Sequence, residues 1–121
     1  MITGLAGKTA FITGGGSGMG RETALLLARE GVAVAVADLK GDAAQSTADA
    51  IRNAGGKAAP VEVDVTNSKR VAAAVREAEA TLGPIDRLVN IAGIYQSIDV
   101  EKITDEDWAR MFSVHVNGTF Y

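Results

Sequence analysis

Glycine is crowded into one stretch of this chain. Five of the fourteen glycines fall in the run Thr13-Gly14-Gly15-Gly16-Ser17-Gly18-Met19-Gly20. Thr9 to Thr13 before it reads as a short buried strand. Arg21 to Glu30 after it reads as a helix, with Ala24, Leu27 and Ala28 on one face and Gly31 placed to end it. A chain that must leave a strand, turn and enter a helix within so few residues has few folds open to it. The next segment, Val32 to Ala37, is Val-Ala-Val-Ala-Val-Ala and stops at Asp38. Both of its faces are apolar, which suits a parallel sheet covered on both sides.

The remainder continues the alternation. Asp42 is placed to cap a second helix running through Ala54, which Gly55-Gly56 would end. Ala58 to Val65 reads as a third strand, and Pro60 within it points to a sheet edge or a strand start, since proline cannot donate to a ladder. Thr66-Asn67-Ser68 opens a third helix with a stripe at Val71, Ala74, Val75, Ala78 and Leu82, ended by Gly83-Pro84. Arg87 to Ile91 is a fourth strand. Thr104 caps a fourth helix whose first turn holds Asp105, Glu106 and Asp107, where the helix dipole favours negative charge. The order β-α-β-α-β-α-β-α predicts a single α/β domain over residues 1–121, a Rossmann-type doubly wound parallel sheet with strand order 3-2-1-4. The third strand then lies at one edge, in agreement with Pro60, and the fourth presents an open apolar edge that invites pairing.

Strand, glycine loop, helix, strand and terminal acid arrive in the order of a dinucleotide fingerprint. Asp38 lies 18 residues after Gly20, near the expected spacing of about 20. Gly14 lets the chain turn off the strand, Gly18 removes a Cβ where backbone must approach a pyrophosphate, and Gly20 lets the helix pack close to the sheet. The helix N-terminus would offer free N–H groups to the phosphates. Asp38 would accept hydrogen bonds from the ribose hydroxyls and repel a 2′-phosphate, so NAD is expected over NADP. Lys40 nearby would soften that preference. The bland alternatives are a flexible glycine loop and a helix-capping or solvated acid.

Composition narrows the field further. A net charge of −3 without a basic run argues against nucleic acid, and no cysteine means no disulfide or thiolate metal site. No apolar run is long enough to span a bilayer, and Met1 to Ala10 lacks the pattern of a signal peptide, so a cytoplasmic protein is expected.

The loop Thr13 to Gly20 resembles the Thr-Gly-x-x-x-Gly-x-Gly loop of the short-chain dehydrogenases/reductases. Asn90-Ile91-Ala92-Gly93 is similar to that family's Asn-Asn-Ala-Gly motif, with Ile91 in place of the second Asn, and Asp64-Val65 resembles its adenine-contacting pair. The likeness covers roughly residues 5–121. It implies that Gly14, Gly18 and Gly20 hold pyrophosphate with Ser17 and Met19 lining the cofactor, and that Asp38 binds ribose. It also implies that Asp64 and Val65 flank adenine and that Asn90, Ala92 and Gly93 form the floor. Asn117 would take the family's catalytic Asn role, holding a water in the proton relay, against the plain reading of an Asn inside a helix.

Family members also use a downstream Ser and a Tyr-x-x-x-Lys pair, with the Tyr exchanging a proton while hydride moves. Neither Tyr95 nor Tyr121 begins such a pair here. The expectation is therefore the cofactor-binding half of an NAD-dependent oxidoreductase acting on a secondary alcohol or ketone, inactive by itself. The alternative is a short non-catalytic protein that binds nucleotide or a partner. Three signals stay weaker. His115 reads as a helix-surface or interface histidine. The acids at 105–107 read as a helix first turn rather than a metal site. Trp108, Met111, Phe112 and Val116 form an apolar stripe, either core or, as the family implies, the contact of a homo-oligomer.

Overall fold

The computed structural model describes residues 3–121. Met1 and Ile2, counted above within the domain and in the N-terminal stretch, lie outside the described residues. Four parallel strands, β1 (Thr9–Thr13), β2 (Ala33–Asp38), β3 (Ala58–Glu62) and β4 (Arg87–Asn90), form one sheet in the order β3-β2-β1-β4. Helices α1 (Gly18–Arg29), α2 (Gly41–Asn53) and α3 (Ser68–Leu82) make the crossovers, and α4 (Asp105–Phe112) follows β4. This is the doubly wound α/β architecture the pattern predicts.

Strand pleating sorts the side chains. Ala10, Ile12, Val34 and Val36 face α1 and α2, packing with Ala24, Ala44, Ala48 and Ile51. Phe11, Ala35 and Ala37 face the other way and pack with Val61, Val63 and the α3 residues Ala74 and Ala78. The Val-Ala repeat of β2 thus gives its valines to one layer and its alanines to the other. Small residues meet small residues at β2 and α3, which lets that helix lie close to the sheet. Pro60 sits in the outer strand β3, opposite Val36. β4 is the outer strand at the other end, and Leu88 on it is 62% exposed.

The element ends differ from the sequence expectation in instructive ways. α1 begins at Gly18, three residues before Arg21, with Ser17 as its N-cap. Asp42 does not cap α2. Lys40 occupies that position, while Asp42 lies in the first turn and its Oδ1 accepts from the Ala43 N–H at 2.9 Å. β3 ends at Glu62 instead of Val65, because its partner β2 stops at Asp38 and the ladder runs out. β4 likewise ends at Asn90, level with Thr13. Thr104 and Asp107 form a reciprocal capping box on α4. After Phe112 the helix widens into a π turn, Ser113–Asn117, and closes with an α turn, Gly118–Phe120.

The apolar stripe of α4 is not core. Trp108 is 63% exposed, Phe112 45% and Val116 51%, with the Trp108 and Phe112 rings 5.0 Å apart. The inward positions are Met111, Val114 and the buried Gly118. Among the described residues no helix is long and apolar enough to cross a membrane.

Candidate functional site

All four strands end at the same edge of the sheet, and a cleft of about 470 Å3 opens there. That is within the size range of cofactor sites, and its place beyond the carboxyl ends of parallel strands is where doubly wound folds bind ligands.

The glycine loop forms one side. Gly14 has φ +67°, and a Cβ there would lie 2.9 Å from the Ala92 nitrogen, so the turn off β1 requires glycine. A Cβ at Gly20 would collide with the Gly14 carbonyl, which is the close approach of α1 to the strand end. Gly18 has φ +52° and nothing within 4 Å of where its Cβ would stand. The loop is held by the Gly15 N–H on the Ala37 carbonyl at 2.9 Å. Ser17 makes no side-chain cap bond, and no acid lies in the first turn of α1. The first amides of α1 have no intrahelical acceptor and no internal anion to serve, a donor set suited to phosphate.

Asp38 closes this side. Its Oδ2 accepts from the Gly16 N–H at 2.9 Å and its Oδ1 from the Lys40 N–H at 3.0 Å. A residue 22 positions away in sequence is thereby fixed beside the loop. Each oxygen keeps a lone pair for another donor. Leu39, Lys40 and Ala43 extend the wall.

Asp64 and Val65 line the cleft where the chain leaves β3. The Thr66 hydroxyl donates to Asp64 Oδ1 at 2.7 Å and the Thr66 N–H at 2.9 Å. These bonds, the hydroxyl first, hold the Asp64 carboxyl below its ordinary range, against a small opposing effect of burial.

The floor comes from the segment after β4. Ile91, Ala92, Gly93 and Ile94 all line the cleft. Thr13 fixes this segment: its Oγ1 accepts from the Ile91 N–H at 3.2 Å and the Ala92 N–H at 3.1 Å. The sequence reading named Thr13 within the loop pattern and gave it no role. A hydroxyl at the end of a central strand, level with the next strand's end, was the available signal.

Nine of the expected site residues therefore meet at one cleft: Gly14, Ser17, Met19, Gly20, Asp38, Asp64, Val65, Ala92 and Gly93. Gly18 does not line it but begins the helix that points into it. Asn90 lines a second, smaller cavity of about 240 Å3, shared with Thr13, Val65, Gly118 and Tyr121. Asn117 is not brought to the cleft. It is exposed, and its carbonyl accepts from the Tyr121 N–H at 2.8 Å. Residues two apart on a helix do not share a face, and the face toward the floor carries His115 instead. The His115 Nε2 lies 3.1 Å from the Ile94 nitrogen and 2.8 Å from the Ile94 oxygen. The expectation of a histidine without a structural partner is corrected accordingly.

The chain was compared with known proteins. The family model described as short chain dehydrogenase matches residues 8–121. Cyclohexanol dehydrogenase of Acinetobacter sp. (strain SE19) is 42% identical over 115 residues, 94% of this chain and 46% of that protein. Sorbitol dehydrogenase of Cereibacter sphaeroides is 39% identical over 117 residues, 97% of this chain and 44% of that protein. Among solved structures, hydroxysteroid dehydrogenase from Escherichia coli superposes with a TM-score of 0.91 at 35% identity, covering 96% of this chain and 49% of that one. The chain spans less than half the length of the curated relatives it matches.

Proposed function

The chain belongs to the short-chain dehydrogenase family, and from that membership we propose that the whole protein is an NAD-dependent oxidoreductase acting on a secondary alcohol or ketone. Family relatives are oxidoreductases with nicotinamide cofactors, and the cleft fits such a group. The observation that carries the reading is the bond from the Gly16 N–H to Asp38, which sets a carboxylate beside the open amides of α1. One donor set suits a diphosphate and the adjoining acceptor suits the neighbouring sugar.

In this reading the α1 amides at Gly18, Met19 and Gly20 grip the pyrophosphate, and Gly18 leaves room for its approach. Asp38 takes the ribose hydroxyls. Its charge opposes a 2′-phosphate, which is why NAD is preferred. Asp64 offers a carboxylate oxygen, and Val65 an apolar face, to the adenine. Ala92 and Gly93 keep the floor free of side-chain bulk, and Asn90 steadies the strand end beneath it. The bound nicotinamide would supply hydride transfer.

Alcohol substrates are named for the relatives: cyclohexanol and sorbitol both carry secondary hydroxyls. The exposed α4 stripe of Trp108, Phe112 and Val116 supports a homo-oligomer joined through that helix. A cytoplasmic location accompanies this reading. Residues 1–121 alone, with no Tyr-x-x-x-Lys pair, are expected to show no turnover.

Calorimetric titration of the full-length protein with NAD and with NADP tests the proposal. NAD is expected to bind the more tightly. Tighter binding of NADP overturns the role of Asp38, and binding of neither overturns the cofactor site.

A further inference from the structure

We infer that His115 is a positioning residue for the cleft, holding the Gly93–Ile94 floor through one ring nitrogen. The inference rests on the cleft being a nucleotide site. His115 Nε2 is within hydrogen-bond distance of both main-chain groups of one residue, the Ile94 N–H at 3.1 Å and the Ile94 carbonyl at 2.8 Å. A neutral imidazole nitrogen either accepts or donates. With the proton on Nδ1, Nε2 accepts from the Ile94 N–H. With the proton on Nε2, it donates to the Ile94 carbonyl, the shorter of the two contacts.

A second, independent observation concerns volume. A Cβ added at Gly93 would lie 2.6 Å from His115 Cε1. The ring fills the space that a side chain at 93 would need, so the glycine and the histidine are complementary. Gly93 and Ile94 both line the cleft, together with Val114 from the same turn as the ring.

The ring is itself held from behind. The Thr119 hydroxyl donates to the His115 carbonyl at 2.9 Å, and Gly118 packs against Val65 so closely that a Cβ there would lie 2.8 Å from Val65 Cγ2. None of the ion pairs among the described residues involves His115. The imidazole thus joins a fixed helix to a main-chain segment that lacks regular secondary structure. A floor ordered before the cofactor arrives loses less freedom on binding.

The test uses the full-length protein with NADH, followed by fluorescence titration, and two variants. His115→Ala removes the hold. His115→Gln carries a donor and an acceptor on one amide, and so can serve both Ile94 groups. Loss of one such hydrogen bond predicts that His115→Ala weakens NADH binding about fivefold, and that His115→Gln recovers affinity to within about twofold of wild type.

A second arm needs no cofactor. Gly93→Ala is expected to lower the melting temperature of the unliganded protein, and adding His115→Ala is expected to recover part of that loss, because the ring no longer obstructs the new methyl group. His115→Ala binding NADH as wild type does, His115→Gln behaving like His115→Ala, or strictly additive melting effects would each overturn the inference. Failure of the wild type itself to bind NADH would show instead that the cofactor reading has failed, and the inference would fall with it.

Discussion

Replacing Thr13 with valine probes the join between two strand ends at a single atom. Thr13 is 7% exposed, and its Oγ1 accepts from both the Ile91 and Ala92 N–H groups. Valine keeps the branched shape and exchanges the hydroxyl for a methyl group. Both amides then lose their acceptor. An orphaned buried N–H costs about 1–3 kcal/mol. These amides are partly buried and share one oxygen, so values near the lower end apply, about 2–3 kcal/mol for the pair. Serine is the control, since it keeps the oxygen and loses only a methyl group, worth about 1 kcal/mol. Urea unfolding of the full-length protein, with midpoint and slope both reported, should rank wild type above Thr13→Ser and Thr13→Val last. NADH affinity should fall in the same order, because the floor of the cleft hangs from this oxygen. If Thr13→Val lies within about 0.5 kcal/mol of wild type, the scatter expected of an inert substitution, the hydroxyl is not what positions residues 91–92.

Gly14→Ala should destabilise by at least about 1–3 kcal/mol from its left-handed backbone alone. The approach to the Ala92 nitrogen adds to that loss, which thermal melting would register. Asp64 has a depressed folded-state pKa, so its stabilising contribution is complete above the ordinary carboxylate value near 4 and is lost as pH falls through the lower folded value. Asp64→Asn should therefore flatten the acid limb of stability below about pH 4, by a small amount because the group is largely exposed. Acid titration of the unfolding midpoint checks it, and an unchanged limb refutes the assignment. Trp108→Glu should shift the full-length protein toward smaller species in sedimentation velocity, since it places charge within the exposed α4 stripe.

The sheet could be read from residues whose physics admits little else. A six-residue Val-Ala run ending in Asp38 has two apolar faces and must lie inside a parallel sheet, while Pro60 belongs at an edge. The glycine loop was equally legible, because Gly14 and Gly20 answer to a turn and a close approach that no other residue fits. Other features left no such mark. The start of α1 was placed late because its first turn, Gly18-Met19-Gly20, lacks the apolar periodicity that begins near Ala24. The inward face of the last helix was missed because Gly118, its buried member, carries no hydropathy signal, while Trp108 and Phe112 carry a strong one and face outward. That error also drew attention to Asn117. Met111, Val114, His115 and Gly118 fall at i, i+3, i+4 and i+7, a spacing that would have put His115 on the side of the floor.

The widened turn at Ser113–Asn117 makes the chain length of this helix a fixed quantity. A π turn holds one residue more than the α turn it replaces. Deleting any one residue there would let the backbone relax to ordinary pitch, yet everything beyond would swing through roughly 100°. Gly118 would then leave Val65, and the histidine would turn away from the loop it grips. Point changes at these positions can be absorbed singly, whereas a shortened helix would have to rebuild both contacts together.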